Sequence, residues 1–261
     1  IEGVPGETWW EDVGDLVGPA NEGRGGMSCV KRRVIDGVGT FYVKRQRGYS
    51  YRSLRHPFGR PTALREMLAM RAFRRIGIAT PELVHFDLRH RDGAWEAVLV
   101  TRALDGFISL QDGLLTARWR HERKERILRA LVDATETLHR ARRRHGHLYP
   151  KEIFIDDRHA EPRVCFLDLE LSRRQWSMRA AAEPDLRHLL PSLRNLGVEA
   201  AFCRDIVERY RRGGIALRDE RIAARPRHRA HCSPGNNPTL SPQPPPPPPL
   251  PPPPSPPAPH P

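Results

Sequence analysis

Hydrophobic and polar residues follow a short-period pattern through the first third of the chain. The stretch "GRGGMSCVKRRVID" is a glycine cluster followed by alternating residues, and "GTFYVKRQ" is a short β-rich run. Such runs, bounded by turn-forming residues, predict strands. "ELVHF" and "EAVLVTRAL" predict two more. The first third is therefore expected to be rich in β-structure.

The period then lengthens to that of an α-helix. In "PTALREMLAMRAFRRIG" the apolar residues share one helical face, with Pro61 at the start and Gly77 at the stop. The longest apolar stripe predicts a helix from Glu122 to Arg144. Short strands follow at "EIFI" and "RVCFLDLE", and "PDLRHLLPSLRNLG" and "VEAAFCRDIVERYRRG" are predicted to close the body as helices.

This order of elements predicts an α+β protein with two lobes and a cleft between them. The expected division is a β-rich N-lobe over residues 1–103 and a helical C-lobe over residues 104–224. Residues 225–261 are rich in proline, so we expect a disordered, extended tail. The chain starts with isoleucine instead of methionine, which suggests that the native start lies upstream.

Charge and cysteine usage narrow the setting. Lys and Arg total 44 against 31 Asp and Glu, a surplus of +13 that favours anionic partners without choosing among them. A solvated, arginine-rich surface would have the same composition. The four cysteines form no CxxC pair, which argues for a reducing compartment and against a zinc knuckle. No apolar run reaches membrane-spanning length and no signal peptide is visible, so we expect a cytoplasmic protein.

A glycine cluster is the first candidate for chemistry. Gly23, Gly25 and Gly26, with Ser28, lie between predicted strands. Glycines let a backbone approach a polyphosphate closely and direct its N–H groups at the oxygens. A tight hairpin without a ligand is the alternative.

Lys44 and Glu66 form the second candidate. A lysine on a strand beside a glycine-rich hairpin can contact phosphate oxygens, and a carboxylate on the next helix can hold that ammonium group in place. A surface lysine and an exposed helical glutamate are the alternatives. Asp168 follows an apolar strand in "VCFLDLELS" and could bind a metal ion there. With Glu170 it could instead cap a helix.

The segment "HGHLYPKEIF" contains His145, His147 and Glu152. In sequence the candidates run as glycine loop, strand lysine, helix glutamate, histidine loop and strand-end aspartate. This order suits phosphoryl transfer, in which the protein positions phosphates, neutralises charge and orients a hydroxyl nucleophile. A metal site made by His145 and His147 is an alternative. A structural role in the core is the default interpretation for His145.

The chain resembles the protein-kinase-like fold: "FYVK" is similar to the strand-lysine motif, "FLDLE" to the metal-binding Asp-Phe-Gly motif, and "LH…HGHLYPKEIF" to the catalytic loop. More narrowly, it resembles the InaA/WaaP group of bacterial lipopolysaccharide kinases. The motifs that carry this likeness are "GRGGMSCV", "FYVKRQ", "LRHPFGRPTALRE", "VTRALDGF", "HGHLYPKEIF" and "FLDLE", and it covers most of residues 20 to 212.

The resemblance implies a kinase that uses ATP and Mg²⁺ to phosphorylate a sugar hydroxyl of the lipopolysaccharide inner core, or of another glycolipid, at the cytoplasmic face of the membrane. It implies catalytic roles for Lys44, His147 and Asp168, and Mg²⁺ ligation by Asp168 and Glu152. The same likeness assigns nucleotide binding to Gly23, Gly25, Gly26, Ser28, Lys44 and Glu66.

Two substitutions separate this chain from the kinase pattern. His147 stands where the loop aspartate would be, and Glu152 where the metal-binding asparagine would be. A neutral histidine can accept a proton, and a glutamate offers oxygen to magnesium. A pseudokinase or stress-associated binding protein on the same fold therefore stays open as the alternative.

Two further segments carry predictions. Residues 44–61 mix arginines with Tyr49, Tyr51 and Phe58 and could contact sugar-phosphates or an anionic membrane surface. A plain solvated loop is the alternative. A nucleic-acid surface would look similar, but the chain has no recognised nucleic-acid motif, so no nucleic-acid partner is expected. Asp185 and Arg187 are interpreted either as braces of the helical lobe or as first-turn helix charges.

Overall fold

The computed structural model describes residues 5–218, except residues 24–25 and 54–55. The elements of the first part of the chain are, in order, β1 (Asp15–Leu16), β2 (Asn21–Gly23), β3 (Gly26–Ile35), β4 (Gly39–Arg47), β5 (Ser50–Ser53), β6 (His56–Pro61), α1 (Thr62–Arg75), β7 (Leu83–Arg91) and β8 (Ala94–Arg102). One antiparallel sheet dominates this part, in the strand order β1-β3-β4-β8-β7 with β2 paired to β3. The hairpin β5–β6 and helix α1 come between β4 and β7 in the sequence and lie outside this sheet.

The second part of the described chain is mainly helical. Its strands form two small sheets, β12-β11-β9 and β10-β13. Its elements are β9 (Phe107–Ser109), α2 (Leu110–Leu115), α3 (His121–Arg140), β10 (Arg143–Arg144), β11 (Ile153–Asp156), β12 (Arg163–Phe166), β13 (Arg173–Arg174), α4 (Met178–Asn195) and α5 (Ala200–Arg212). The predicted α+β fold is confirmed. The exact lobe boundaries stay predictions, and the proline-rich tail lies outside the described residues.

The large sheet is covered on both faces, which explains the unbroken apolar run in β8. Val98 and Val100 pack with Phe41, Val43 and Trp9 in a small core on one face. Leu99 belongs to the main core on the other face. Because alternate residues of a strand point to opposite sides, a strand buried on both faces is apolar at every position.

The same alternation places Lys44 on the inner face. Phe41 and Val43 of β4 occupy the small core, so Lys44 points to the opposite side. Lys44 pairs with Val30 of β3 and with Leu99 of β8, which form one row across three strands. This row faces the second half of the molecule.

The helix predicted for residues 122–144 is α3, and its predicted end is wrong. The predicted stripe is buried at Ile127, Leu128 and Leu131, at about 1.5–3 kcal/mol for each side chain. The helix ends at Arg140, and Arg142 adopts a left-handed conformation with φ 54°. Residues 143–144 then pair with residues 173–174, so strand pairing replaces the last helical turn.

The helix predicted to start at Pro184 begins earlier, at Met178. Ser177 caps it, because its Oγ accepts a hydrogen bond from the Ala180 N–H at 3.0 Å. Pro184 and Pro191 both lie inside α4. Proline normally marks a helix start, so here the cap and the buried face outweigh the local preference. Within the described part of the chain, no helix combines the length and apolar character needed to cross a bilayer.

Candidate functional site

Lys44 is held by two carboxylates. Its Nζ lies 2.8 Å from Oε2 of Glu66 on α1 and 3.2 Å from Oε2 of Glu170. The predicted Lys44–Glu66 pair is therefore present. Burial lowers the pKa of Lys44, but Glu66, Glu170 and Asp168 outweigh it, so the net pKa is raised and the ammonium group stays charged. Glu170 binds Lys44 and caps no helix, so the capping interpretation is wrong for this residue.

Asp185 on α4 is fully buried and holds the start of the histidine loop, residues 145–152, in place. Its carboxylate accepts hydrogen bonds from the backbone N–H groups of His145 at 2.7 Å and Gly146 at 2.9 Å. His139 Nε2 lies 3.1 Å from the same carboxylate. Asp185 thus braces the loop, and the first-turn interpretation is wrong because the residue lies in the middle of the helix.

His145 belongs to the core. Its ring is fully buried and packs edge-on against Phe166 at 5.7 Å and Phe73 at 6.4 Å between ring centroids. Burial lowers its pKa, which favours the neutral ring. The structural interpretation is confirmed, and His145 is not part of the metal-type cluster found among the described residues.

That cluster consists of His147, Glu152 and Asp168, whose potential ligand atoms all lie within 4.8 Å of one another. Nδ1 of His147 is 2.9 Å from Oδ2 of Asp168. The backbone N–H of Leu167 donates to the carbonyl of Glu152 at 2.9 Å, which sets the two carboxylates side by side. Asp168 has φ 54° and ψ 58°, a left-handed conformation that aspartate tolerates better than most residues.

The three groups influence one another's ionisation. Burial raises the pKa of Asp168, but the hydrogen bond from His147 and the charge of Lys44 outweigh it and leave the pKa lowered. The hydrogen bond to Asp168 raises the pKa of His147 despite partial burial. Burial, followed by the charge of Asp168, raises the pKa of Glu152. Asp168 is therefore an ionised acceptor, and His147 is a stronger base than a free imidazole.

Lys44 and Asp168 line the same cavity, which has a volume of about 280 Å³. Sheet residues form one wall, and residues after β9 and around β11 and β12 form the other. His147 lies beside Asp168 with 32% of its side chain exposed. The lining residues are Val30, Tyr42, Lys44, Glu66, Met70, Pro81, Leu99, Thr101, Arg102, Leu104, Ser109, Gln111, Asp112, Lys151, Glu152, Phe154, Phe166, Leu167, Asp168 and Leu169.

The two described glycines of the cluster, Gly23 and Gly26, do not line the cavity of Lys44 and Asp168. Gly23 and Gly26 pair with each other at the β2–β3 hairpin and line a shallow surface pocket with Arg47. A Cβ atom on Gly26 would lie 2.9 Å from the Arg47 carbonyl oxygen and from Tyr49, so close packing is sufficient to explain this glycine. Gly25 lies outside the described residues. Nucleotide binding by Gly23, Gly26 and Ser28 stays a prediction.

The donor set suits a divalent cation and a polyphosphate together. At one end of the site, the described residues place four carboxylates around two ammonium groups, those of Lys44 and Lys151. The carboxylates are Glu66, Glu152, Asp168 and Glu170. Oxygen ligands such as those of Glu152 and Asp168 are the ones that Mg²⁺ prefers. The unbalanced negative charge therefore fits a cation.

Sequence patterns alone give Lys151 no role in the site. It lines the cavity, and its Nζ lies 3.3 Å from Oε1 of Glu152. Its place inside "HGHLYPKEIF" was visible, but a lysine beside a glutamate in a loop gives no signal until the fold shows which way it points. The sequence does not reveal the contact between Glu170 and Lys44, because the two residues are 126 positions apart.

Comparisons with known proteins agree with the geometry. The sequence profile described as the lipopolysaccharide kinase (Kdo/WaaP) family matches residues 7–210. Protein InaA of Escherichia coli (strain K12) is 34% identical over 187 residues, which are 69% of this chain and 84% of that protein. A solved structure of WaaP in complex with acyl carrier protein has a TM-score of 0.61 at 20% identity, covering 80% of this chain and 83% of that one. The structural likeness shows the fold.

Proposed function

The chain belongs to the lipopolysaccharide kinase (Kdo/WaaP) family, and from that premise we propose that it transfers the terminal phosphoryl group of ATP to a sugar hydroxyl of the lipopolysaccharide inner core. The observation that carries the proposal is the shared cavity. Lys44 and Glu66 line one hollow between the sheet and the helical part together with Glu152 and Asp168. Glu170 contacts Lys44 and His147 contacts Asp168 at the edge of that hollow.

The cavity offers the parts that nucleotide binding needs. Its apolar side chains, among them Val30, Leu99 and Phe154, provide a surface for a flat base. Lys44 is charged and largely enclosed, with 14% of its side chain exposed, so it can contact phosphate oxygens with little loss of bound water. Glu66 and Glu170 fix its position, which lowers the entropic cost of that contact.

In the proposed reaction the acceptor hydroxyl oxygen attacks the terminal phosphorus of ATP. A new P–O bond forms, the bond from that phosphorus to the bridging oxygen breaks, and ADP leaves. The hydroxyl proton passes to Nε2 of His147. Nδ1 of His147 faces the ionised Asp168 at 2.9 Å and carries the ring's other proton, so Nε2 is the free basic nitrogen of the neutral ring.

Glu152 and Asp168 are the residues proposed to hold Mg²⁺, which when bound neutralises phosphate charge. Lys151 adds a second cation at the edge of that pair. We place the protein on the cytoplasmic side, where ATP is available, with contact to the membrane through its glycolipid acceptor.

A catalytically impaired binding protein on the same fold is the second candidate. The observation that favours it is the hydrogen bond between His147 and Asp168, which occupies one carboxylate oxygen that a metal ion would use. Such a protein would bind ATP without turnover on any acceptor.

Incubation with γ-labelled ATP, Mg²⁺ and intact or delipidated lipopolysaccharide tests the proposal. We expect labelled phosphate on the core sugars with wild type and none with Asp168→Asn. Nucleotide binding by the wild type without label on either acceptor would overturn the kinase function and favour the second candidate.

A further inference from the structure

A second pocket is lined mainly by arginines and shares no residue with the nucleotide-sized cavity. We refer to it as the arginine pocket. Its lining residues are Tyr51, Arg52, Arg65, Leu68, Ala69, Arg143, Ser172, Arg173 and Arg174.

The fold assembles this charge from distant parts of the chain. Arg143 lies directly opposite Arg174 in the β10–β13 pair, beside the pair of Arg144 with Arg173. Like charges placed opposite each other on two strands destabilise the pair. Arg65 comes from α1 and Arg52 from β5. A bound anion would offset the repulsion between these arginines.

The described part of the chain compensates this charge only in part, since Glu170 acts on Arg65 from beyond ion-pair distance. There, no carboxylate lies within 4.0 Å of a side-chain nitrogen of the five arginines of the pocket, whereas Arg45, Arg89 and Arg102 each have such a partner. Burial lowers the pKa of Arg65, and the charge of Arg173 lowers it further. Burial also lowers the pKa of Arg143, with Arg174 adding to it. A bound anion would relieve both repulsions.

One arginine is already oriented. The guanidinium carbon of Arg65 lies 3.9 Å from the centre of the Tyr51 ring. Stacking of this kind holds the guanidinium plane, and a hydrogen bond between Arg65 and the Tyr51 side chain adds to that restraint. Guanidinium edges match the oxygens of a phosphate group and bind two of them at once.

We propose that the arginine pocket binds a phosphate monoester carried by the glycolipid acceptor. Exposed apolar side chains beside the arginines favour an amphiphile over a free anion. Leu68 lines the pocket with 48% of its surface exposed, and Trp176, two residues after Arg174, is 76% exposed. Aromatic and basic residues together suit the headgroup region of a lipid. The identity of the acceptor rests on the proposed function, whereas anion binding by the pocket does not.

The pocket adjoins the cavity through two shared segments. Arg65 precedes Glu66 on α1, and Arg173 follows Glu170 by three residues. Glu66 and Glu170 bind Lys44, while Arg65 and Arg173 line the pocket. A phosphate held in the arginine pocket would keep one part of the acceptor next to the site of phosphoryl transfer.

The test compares binding of intact lipopolysaccharide, chemically dephosphorylated lipopolysaccharide and inorganic phosphate, at one ionic strength. The variant is Arg52→Gln/Arg174→Gln, in which both arginines are exposed. Arg204→Gln/Arg211→Gln on α5 removes the same charge from exposed positions outside the pocket and is the matched control. Arg173→Gln, also exposed, is an independent variant, and thermal unfolding checks that all three variants fold.

We expect each pocket variant to bind intact lipopolysaccharide at least about tenfold more weakly than the wild type, and the control to bind as the wild type does. Dephosphorylated lipopolysaccharide should bind the wild type and the variants equally. Unchanged binding by both pocket variants, or an equal loss with the dephosphorylated form, would overturn the inference. Inorganic phosphate that binds as tightly as the glycolipid would also overturn it.

Failure of the kinase proposal gives a different pattern. In that case no phosphate is transferred from ATP, although the phosphate-dependent binding and its loss in the pocket variants persist. If phosphate is transferred from ATP but lipopolysaccharide binds equally well with and without its phosphates, only the assignment of the arginine pocket is overturned.

Discussion

Nδ1 of His147 lies 2.9 Å from Oδ2 of Asp168. The pKa of Asp168 is lowered overall, so its carboxylate accepts and the imidazole donates. The pair therefore fixes both the tautomer and the orientation of the histidine. In the proposed reaction this arrangement makes Nε2 of His147 the proton acceptor, at the position where the kinase pattern has an aspartate.

His147→Ala tests that role. We expect phosphate transfer to the acceptor to fall about 10²–10⁴-fold, because a positioned proton acceptor contributes that much. ATP affinity should change little, since His147 is not among the residues that line the cavity. Single-turnover transfer and calorimetric titration with Mg²⁺-ATP separate the two effects.

His121→Ala is the matched control for that substitution, because His121 is 74% exposed and pairs only with Glu125 on its own helix among the described residues. It should transfer phosphate at the wild-type rate. If His147→Ala also did so, the proton acceptor would have been assigned wrongly.

Glu152→Gln tests metal ligation. The substitution keeps the shape of the side chain and removes one charge of the carboxylate pair beside His147. We expect the Mg²⁺ concentration that half-saturates transfer to rise about 10–100-fold. Glu161→Gln, on the exposed turn before β12, should leave that concentration unchanged. Equal Mg²⁺ dependence in wild type and Glu152→Gln would remove Glu152 from the metal site.

Asp185→Asn tests the brace under the histidine loop. The amide would present an NH₂ group to a site built from N–H donors, so the free energy of unfolding should drop by about 1–3 kcal/mol at pH 7. Urea unfolding measures this loss. Asp205→Asn, at an exposed position on α5, should change it by less than about 0.5 kcal/mol.

The difference in unfolding free energy between wild type and Asp185→Asn should become smaller as the pH falls. Burial raises the pKa of Asp185, but the hydrogen bond from His139 and the neighbouring charges outweigh it, so the folded-state pKa lies below the ordinary 3.8. Its ionised form therefore stabilises the fold fully above 3.8, and that contribution disappears as the pH falls through the lower folded value. The gap between wild type and Asp185→Asn should narrow in acid. A gap that widens there would mean that Asp185 is protonated in the folded protein.

Much of the fold could be predicted from periodicity alone. The longer predicted strands and helices exist because their apolar positions match the two cores. The errors occur where tertiary contacts override local preference. Arg143–Arg144 leave the helical pattern to pair with Arg173–Arg174, and Pro184 lies inside a helix that starts at Met178. The sequence around residues 143–144 does not show that they pair with residues 173–174, and the sequence around Pro184 does not show where its helix starts.

Site residues that belong to a recognisable local motif could be predicted from the sequence. Lys44, Glu66 and Asp168 were identified by type and order, and their meeting in one cavity follows from strand register and helix placement. The Lys44–Glu170 contact and the arginine pocket join segments more than 100 residues apart, so only the assembled fold reveals them.

The central claim is that Lys44 and Asp168 grip the same nucleotide through one cavity. Calorimetric titration of ATP, with and without Mg²⁺, into wild type, Lys44→Met, Asp168→Asn and the control Lys31→Met tests it most directly. Lys31 pairs with Asp12 and does not line the cavity. We predict that Lys44→Met lowers ATP affinity at least about tenfold with and without Mg²⁺, because one charged contact is lost. Asp168→Asn should abolish only the Mg²⁺-dependent part, and Lys31→Met should match the wild type. ATP affinity that is unchanged in both cavity variants would contradict the account.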